Sequence, residues 1–136
     1  MKNTDSAKAN KSGQKLEKMV RDFLTKNGFS YKEGGSKTID FKINTDQGTL
    51  YVDCTNQNTG GSVDEKVPHK VWKYHQKYKF ESIIIIRGEQ DLKESVHEHL
   101  KYLKIKESVT TYVYTFEQFC NKLNGKPINS TLEKFI

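Results

Sequence analysis

Two short segments in which apolar and polar residues alternate constrain the fold of this chain most strongly. They span residues 38–43 and 50–55, and both have the period of two that is typical of half-buried β-strands. Between them lies the cluster Asn44-Thr45-Asp46-Gln47-Gly48, which is typical of a tight turn. The sequence therefore predicts a β-hairpin here.

The length of the turn also predicts which residues of the hairpin face each other. If the turn is centred between Asp46 and Gln47, each apolar residue of the first segment lies opposite an apolar residue of the second. The predicted pairs are Ile39 with Cys54, Phe41 with Val52, and Ile43 with Leu50. A bulge at Gly48 would shift this register by one residue and turn the side chains to the other face.

On the opposite face, the same register sets Asp40 against Asp53. Two like charges directly opposite each other destabilise a β-ladder, so we expect a compensating cation. Mg²⁺ is commonly held by one or two carboxylates together with water and phosphate oxygens. The hairpin therefore predicts that Asp40 and Asp53 bind Mg²⁺, with Mn²⁺ as a substitute. The alternative is a pair of aspartates at a solvated edge.

The composition of the chain favours one globular domain with a polyanionic partner. Its 136 residues are 34% hydrophobic and 29% charged, which fits a single domain over residues 1–136. Residues 1–11 are polar and show no periodicity, so we expect a flexible arm there.

The net charge of +6 favours nucleic acid as a partner, with DNA as the first choice. No apolar run has the length of a membrane span or a signal peptide, so we expect a cytoplasmic protein without a membrane partner.

The remaining sequence predicts helices and strands in alternation. A helix begins near Ser12 and ends at Asn27-Gly28, with Glu17 at the border of its apolar face. A short edge strand over residues 29–32 precedes the hairpin, and a loop and a capping box cover residues 56–65. The continuous run Ile83–Ile86 is typical of a central strand that is buried on both faces. Two further helices and one strand follow, so the order of elements predicts a mixed sheet with helices on its faces.

The helix that contains Pro68 near its start has two stripes of side chains. One is apolar and is expected to pack on the sheet. The other is basic and comprises Lys66, Lys70, Lys73 and Lys77. A basic stripe can be a solvated face only, but its place directly after the aspartate hairpin favours contact with DNA.

The order of these elements resembles the PD-(D/E)XK nuclease superfamily from about Gly13 to Gly88. The resemblance implies an α/β fold with a restriction-endonuclease-like core, in which a mixed central sheet is flanked by helices. Carried over by position, it implies that Asp40 and Asp53 bind the metal ion and that Glu17 is the helix glutamate of many members. It further implies that the backbone carbonyl of Cys54 binds the metal, and that the activity is Mg²⁺-dependent hydrolysis of phosphodiester bonds in DNA.

The chain departs from this family at position 55, where Thr55 stands in place of the expected catalytic lysine. Threonine has no positive charge, and Gln57, which could position water, has none either. Three explanations are open: Lys66 or Lys70 reaches the site instead, the chain is an inactive DNA-binding relative, or the lysine was substituted.

The sequence leaves the kind of nuclease open. A restriction or homing enzyme and a Holliday-junction-resolving nuclease share this core and have similar sizes. A cut through both DNA strands needs two active sites, so we expect a homodimer.

Overall fold

Five strands form one mixed β-sheet in the computed structural model, which describes residues 4–34, 38–55 and 66–125. The elements in chain order are α1 (Thr4–Lys26), β1 (Ser30–Glu33), β2 (Phe41–Thr45), β3 (Gly48–Thr55), α2 (Val67–Tyr78), β4 (Ser82–Arg87), α3 (Glu94–Glu107), β5 (Thr110–Tyr114) and α4 (Phe116–Leu123). The strands lie in the order β1-β2-β3-β4-β5, antiparallel from β1 to β3 and parallel from β3 to β5. The predicted α/β class with a mixed sheet between helices is confirmed.

The hairpin between β2 and β3 has the predicted register over the length of β2. Phe41 lies opposite Val52 and Ile43 opposite Leu50. At the turn, Thr45 Oγ1 accepts a hydrogen bond from the Gln47 N–H at 3.2 Å. Gly48 has a φ of +119°, a conformation that a side chain would strain, so glycine suits this position. The local sequence thus determines this end of the hairpin.

At the other end of the hairpin, the two strands separate earlier than predicted. Phe41 is the first paired residue of β2, and the predicted pair of Ile39 with Cys54 does not form. Ile39 packs on the sheet face that carries α2 and α3, whereas Cys54 packs on the face that carries α1. That part of the prediction is wrong because the backbone N–H groups of Asp40 and Cys54 bond to aspartate side chains and not to the facing strand.

The sheet is buried between two layers of helices. β4 contributes all four isoleucines of 83–86 to the core, and they alternate between its two sides, as predicted for a central strand. Helices α1 and α4 cover one side through Leu16, Val20 and Phe119. Helices α2 and α3 cover the other side through Val67, Val71, Val96 and Leu100. The structure therefore brings α1 and α2 to opposite faces of the strand that carries Asp53.

The ends of the helices agree with the predictions except at the start of α1. Pro68 lies in the first turn of α2, and a capping box at Thr115 and Gln118 opens α4. α1 begins at Thr4 and not near Ser12, so the helix starts eight residues earlier than predicted. The alanines and lysines of this segment are strong helix formers even without an apolar stripe. The predicted loop and capping box within residues 56–65 lie outside the described residues.

No helix in the described segments is both long enough and apolar enough to cross a bilayer.

Candidate active site

Asp40 and Asp53 come together where β2 and β3 separate, and each carboxylate bonds to the backbone of the other segment. The Asp40 N–H donates to Asp53 Oδ1 at 3.1 Å, and the Cys54 N–H donates to Asp40 Oδ2 at 2.8 Å. These side-chain bonds continue the hairpin where its backbone ladder ends. The predicted proximity of the two aspartates is therefore present, although Asp40 precedes β2 and is not a ladder residue.

The burial of this pair leaves a negative charge without full compensation. Asp53 is only 2% exposed. Burial, followed by the negative charge of Asp53, raises the pKa of Asp40 to about 8, although the bond from the Cys54 N–H opposes the shift. At neutral pH, the site therefore favours either a proton on Asp40 or a cation beside the pair.

One cation of the protein itself reaches the site. Lys70, in the second turn of α2, places its Nζ 2.8 Å from Asp53 Oδ2. Burial opposes the charge of Lys70, but the attraction of Asp53 and the hydrogen bond to it outweigh burial, so its pKa is raised. The Lys70 side chain is still 41% exposed. The ammonium group is therefore charged and held by Asp53, and the side chain that carries it is partly exposed.

A third carboxylate approaches from the opposite face of the sheet. Glu17, on α1, is half-buried beside Leu16 and Val20, which anchor the helix in the core. Burial and the negative charge of Asp53 raise its pKa. Glu17 therefore lies at the border of the buried face of α1, as predicted, and the negative charge of Asp53 acts on it.

The described parts of the chain contain no ready-made cluster of three or more His, Cys, Asp or Glu residues that could hold a metal ion. Two carboxylates are sufficient for Mg²⁺ when water and substrate phosphate supply the other oxygens. Burial raises the pKa of the Cys54 thiol well above its usual range, so this residue has only its carbonyl oxygen to offer a hard cation. The oxygen donors and the raised pKa of Asp40 together fit a divalent cation.

A sequence profile of the PD-(D/E)XK nuclease superfamily domain matches residues 8–126. The chain belongs to this superfamily. No curated protein matches the sequence. Among solved structures, the chain is similar to the restriction endonuclease FokI bound to DNA, with a TM-score of 0.49 and 17% sequence identity. That match covers 90% of this chain and 26% of the FokI chain.

The superfamily's name contains the pattern acidic residue, any residue, lysine. At the end of β3 the corresponding residues of this chain are Asp53, Cys54 and Thr55. Thr55 is 7% exposed and is paired in register with Arg87 of β4. It shares a strand face with Asp53, because residues two apart on a strand point the same way. The motif position therefore carries an uncharged side chain, while Lys70 brings its charge to Asp53 from α2. Gln57 lies outside the described residues.

The four lysines of the basic stripe have different environments. Lys66 is exposed at the N-terminal end of α2, and Lys73 and Lys77 are exposed further along it. The Nζ of Lys77 lies 5.3 Å from the centre of the Tyr78 ring. Of the two lysines that the sequence offered as substitutes for the motif lysine, Lys70 is the one whose ammonium contacts a site carboxylate.

Tyr74 also belongs to the surroundings of the site, although the sequence indicated only a packing role. Its hydroxyl donates to the Thr38 carbonyl at 3.1 Å, which ties α2 to the segment that leads to Asp40. Burial and the charge of Asp53 raise the pKa of Tyr74 to about 12. Its place four residues after Lys70, on the neighbouring turn of the helix, was the available signal.

Proposed function

We propose that this chain is a divalent-metal-dependent endonuclease that hydrolyses phosphodiester bonds in DNA, with Lys70 in the role of the missing motif lysine. The single observation that carries this proposal is the 2.8 Å contact between Lys70 Nζ and Asp53 Oδ2, beside Asp40 and on the strand that ends in Thr55. Membership of a nuclease superfamily supports the reaction class.

Asp40, Asp53 and the backbone carbonyl of Cys54 would hold a Mg²⁺ or Mn²⁺ ion in this proposal, with Glu17 as a further ligand. Bound there, the ion would lower the pKa of its water and neutralise charge on the reacting phosphate. Binding would also relieve the repulsion between Asp40 and Asp53. The raised pKa of Asp40 supports this assignment because it marks a position where positive charge is missing.

Lys70 would bind an oxygen of the scissile phosphate through its ammonium group, which carries three hydrogen-bond donors. The negative charge on the phosphate oxygens grows toward the transition state, so a fixed positive charge there stabilises the transition state more than the bound substrate. Asp53 positions this ammonium, and the bond from Tyr74 to Thr38 fixes the helix that carries it. Glu17 would align the attacking water or help to hold a second ion.

The exposed lysines of α2 would bind the DNA backbone. Lys66, Lys73 and Lys77 lie on the helix that brings Lys70 to the site, so a DNA strand at the carboxylates would pass along them. Within this proposal, a restriction or homing type of enzyme acting as a cytoplasmic homodimer is our first choice, because a double-strand cut needs two sites. A junction-resolving nuclease has the same requirements.

Thr55 favours a second candidate function, namely a catalytically inactive DNA-binding relative. Such a protein would retain the lysines of α2 without needing a metal ion. Its DNA affinity would not depend on Asp40 or Asp53 as metal ligands.

The test combines metal binding with cleavage. Calorimetric titration with Mn²⁺ should show binding to the wild-type chain and none to Asp40→Ala or Asp53→Ala. Plasmid, linear and four-way-junction DNA should then be incubated with Mg²⁺ or Mn²⁺ and the same three proteins. We expect cleavage by the wild type only. DNA binding without metal binding or cleavage would support the inactive relative.

A further inference from the structure

The outer face of α2 carries an exposed pair of aromatic rings that the active site does not use. Trp72, the single tryptophan of the chain, is 41% exposed. Its ring lies nearly parallel to that of His69, with 6.3 Å between the ring centres and 22° between the planes. The buried face of α2 is already filled by Val67, Val71 and Tyr74, so this pair is not part of the core. A tryptophan exposed to this extent is unusual, because its large apolar area is normally covered.

The helix that carries this pair is basic. The sequence of α2, Val67–Tyr78, contains no acidic residue. Lys66 and Lys73 lie three residues before and four residues after His69, and at these spacings helical side chains are neighbours. Both lysines are exposed. An aromatic surface flanked by lysines is suited to a ligand that combines flat rings with phosphate groups.

Helix α3 provides an internal comparison. It has an aromatic pair with the same spacing, His99 and Tyr102, and Tyr102 is 53% exposed. Those rings meet edge to face at 68°, so they form no continuous flat surface. Glu98 precedes them directly. The parallel stack in basic surroundings is therefore a feature of α2 and not a general consequence of the spacing.

We propose that His69 and Trp72 form a platform on which an unpaired base of the DNA substrate stacks, while Lys66 and Lys73 contact the adjoining phosphates. This inference rests on the nuclease function proposed above and specifies its substrate class as DNA with a single-stranded or bulged segment beside the scissile bond. A continuous duplex hides the faces of its bases, whereas an unpaired base can extend the stack of the two rings. His69 directly precedes Lys70 along α2, so the platform lies at the same level of the helix as the active-site cation but on its outer face.

The single tryptophan makes this proposal directly testable by fluorescence. The wild-type chain would be titrated in EDTA, which prevents metal-dependent cleavage, with a single strand, a duplex closed at both ends by non-nucleotide linkers, and the same duplex with an unpaired bulge. We expect Trp72 emission to be quenched by the single strand and the bulged duplex but not by the closed duplex. Labelled DNA would give the affinities in parallel by fluorescence anisotropy.

Substitutions separate stacking from charge. Trp72→Ala should weaken binding of the single strand and the bulged duplex by about 10-fold, the scale of one lost base stack, and leave the closed duplex unaffected. Its salt dependence should stay that of the wild type, because an uncharged contact releases no counterions. Trp72→Tyr, which keeps a stacking ring, should retain most of the affinity. Tyr102→Ala is the matched control on α3 and should change nothing. Circular dichroism would verify that each variant folds.

Four results would overturn the platform. Equal quenching by the closed duplex, or an unchanged affinity of Trp72→Ala for unpaired DNA, would exclude base stacking. The nuclease proposal would remain intact in either case if the wild type still binds and cleaves DNA. Emission that changes with protein concentration in the absence of DNA, together with dimers in sedimentation, would assign this face to a second copy of the chain. A wild-type chain that binds none of the three DNAs would overturn both proposals.

Discussion

The inner edge and the outer face of α2 present the same types of residue in opposite environments. On the inner edge, Lys70 contacts the buried Asp53, and Tyr74 bonds to the Thr38 backbone. On the outer face, Lys73 and Trp72 are exposed. Lys70 and Lys73 are separated by three residues and project only about 60° apart around the helix.

Within the proposed function, the difference between these two regions assigns two tasks to one helix. A lysine held beside a buried carboxylate has a fixed position, which is what stabilisation of a transition state requires. A lysine on a solvated face is mobile and can follow a DNA backbone, which is sufficient for affinity and for salt dependence. We therefore expect changes on the inner edge to alter rates and changes on the outer face to alter binding. The following predictions test that division, from the largest expected effect to the smallest.

Removal of the inner lysine should have the largest effect. Lys70→Ala should lower the rate of DNA cleavage by about 10²- to 10³-fold, the scale of one well-placed electrostatic group at a reacting centre. Lys73→Ala removes the same charge from the same helix and should leave the single-turnover rate at saturating protein nearly unchanged. Equal losses in both variants would mean that the two regions do not differ in function.

A lysine at position 55, the lysine position of the family motif, should compensate for the cleavage rate lost in Lys70→Ala. In the Lys70→Ala background, Thr55→Lys should restore cleavage by about 10²-fold, because its side chain lies on the strand face of Asp53. In the wild type, Thr55→Lys should add little, because Lys70 already supplies the charge. Single-turnover rates of the two single variants and the double variant would measure this exchange. A double variant that folds and binds metal but stays as slow as Lys70→Ala would contradict it.

Asp40, near the inner edge of α2, should make the stability of the metal-free protein depend on pH. The pKa of Asp40 is raised from 3.8 to about 8 in the folded state, so this group contributes stability that is complete below about pH 4 and is lost as the pH rises through about 8. The free energy of unfolding should fall in this window by up to about 1.4 kcal/mol per pH unit. Urea unfolding of the wild type and of Asp40→Asn, both in EDTA, would measure it.

The variant is the control for this pH dependence. Asp40→Asn keeps the size of the side chain but cannot titrate, so its stability should vary less between pH 4 and 8. Mn²⁺ should stabilise the wild type most at the upper end of this range, where Asp40 is ionised in the folded protein. Parallel curves for the two proteins would exclude Asp40 as the source.

The outer face should determine the salt dependence of DNA binding. Each lysine that contacts a phosphate contributes about 0.9 to the slope of log affinity against log salt on duplex DNA. Lys66→Ala and Lys73→Ala should each reduce the slope by about this amount, and the double variant by about twice as much. Lys101→Ala, an exposed lysine on α3, is the control and should retain the wild-type slope. An unchanged slope in the double variant would place the DNA surface elsewhere.

The smallest expected effect concerns Tyr74. Tyr74→Phe keeps the ring in the core but removes the hydroxyl that donates to the Thr38 carbonyl, so it should lower the stability by about 1 kcal/mol. It should also lower the cleavage rate by less than Lys70→Ala does, because it shifts the position of the charge without removing it. Tyr51→Phe, at a partly buried tyrosine packed against the same core, is a matched control for stability.

The sequence by itself determined the parts of this protein that depend on short-range geometry. The alternation of apolar residues and the tight turn at Asp46 and Gln47 set the register from Phe41 to Thr45, because a slip by one residue would expose the apolar side chains. The isoleucine run, the place of Pro68 and the capping box at Thr115 were predicted for similar local reasons. The proximity of Asp40 and Asp53 follows from the same register.

Only the tertiary structure decided how the hairpin ends and which lysine contacts Asp53. Ile39 leaves the register because the carboxylates of Asp53 and Asp40 accept the hydrogen bonds of the Asp40 and Cys54 N–H groups in place of backbone carbonyls. This arrangement depends on the burial of the whole sheet. Lys66, Lys70, Lys73 and Lys77 are equivalent by their spacing in the sequence. Of these four, Lys70 alone contacts Asp53, because α2 is held on the sheet by a core cluster of residues that are distant in the chain.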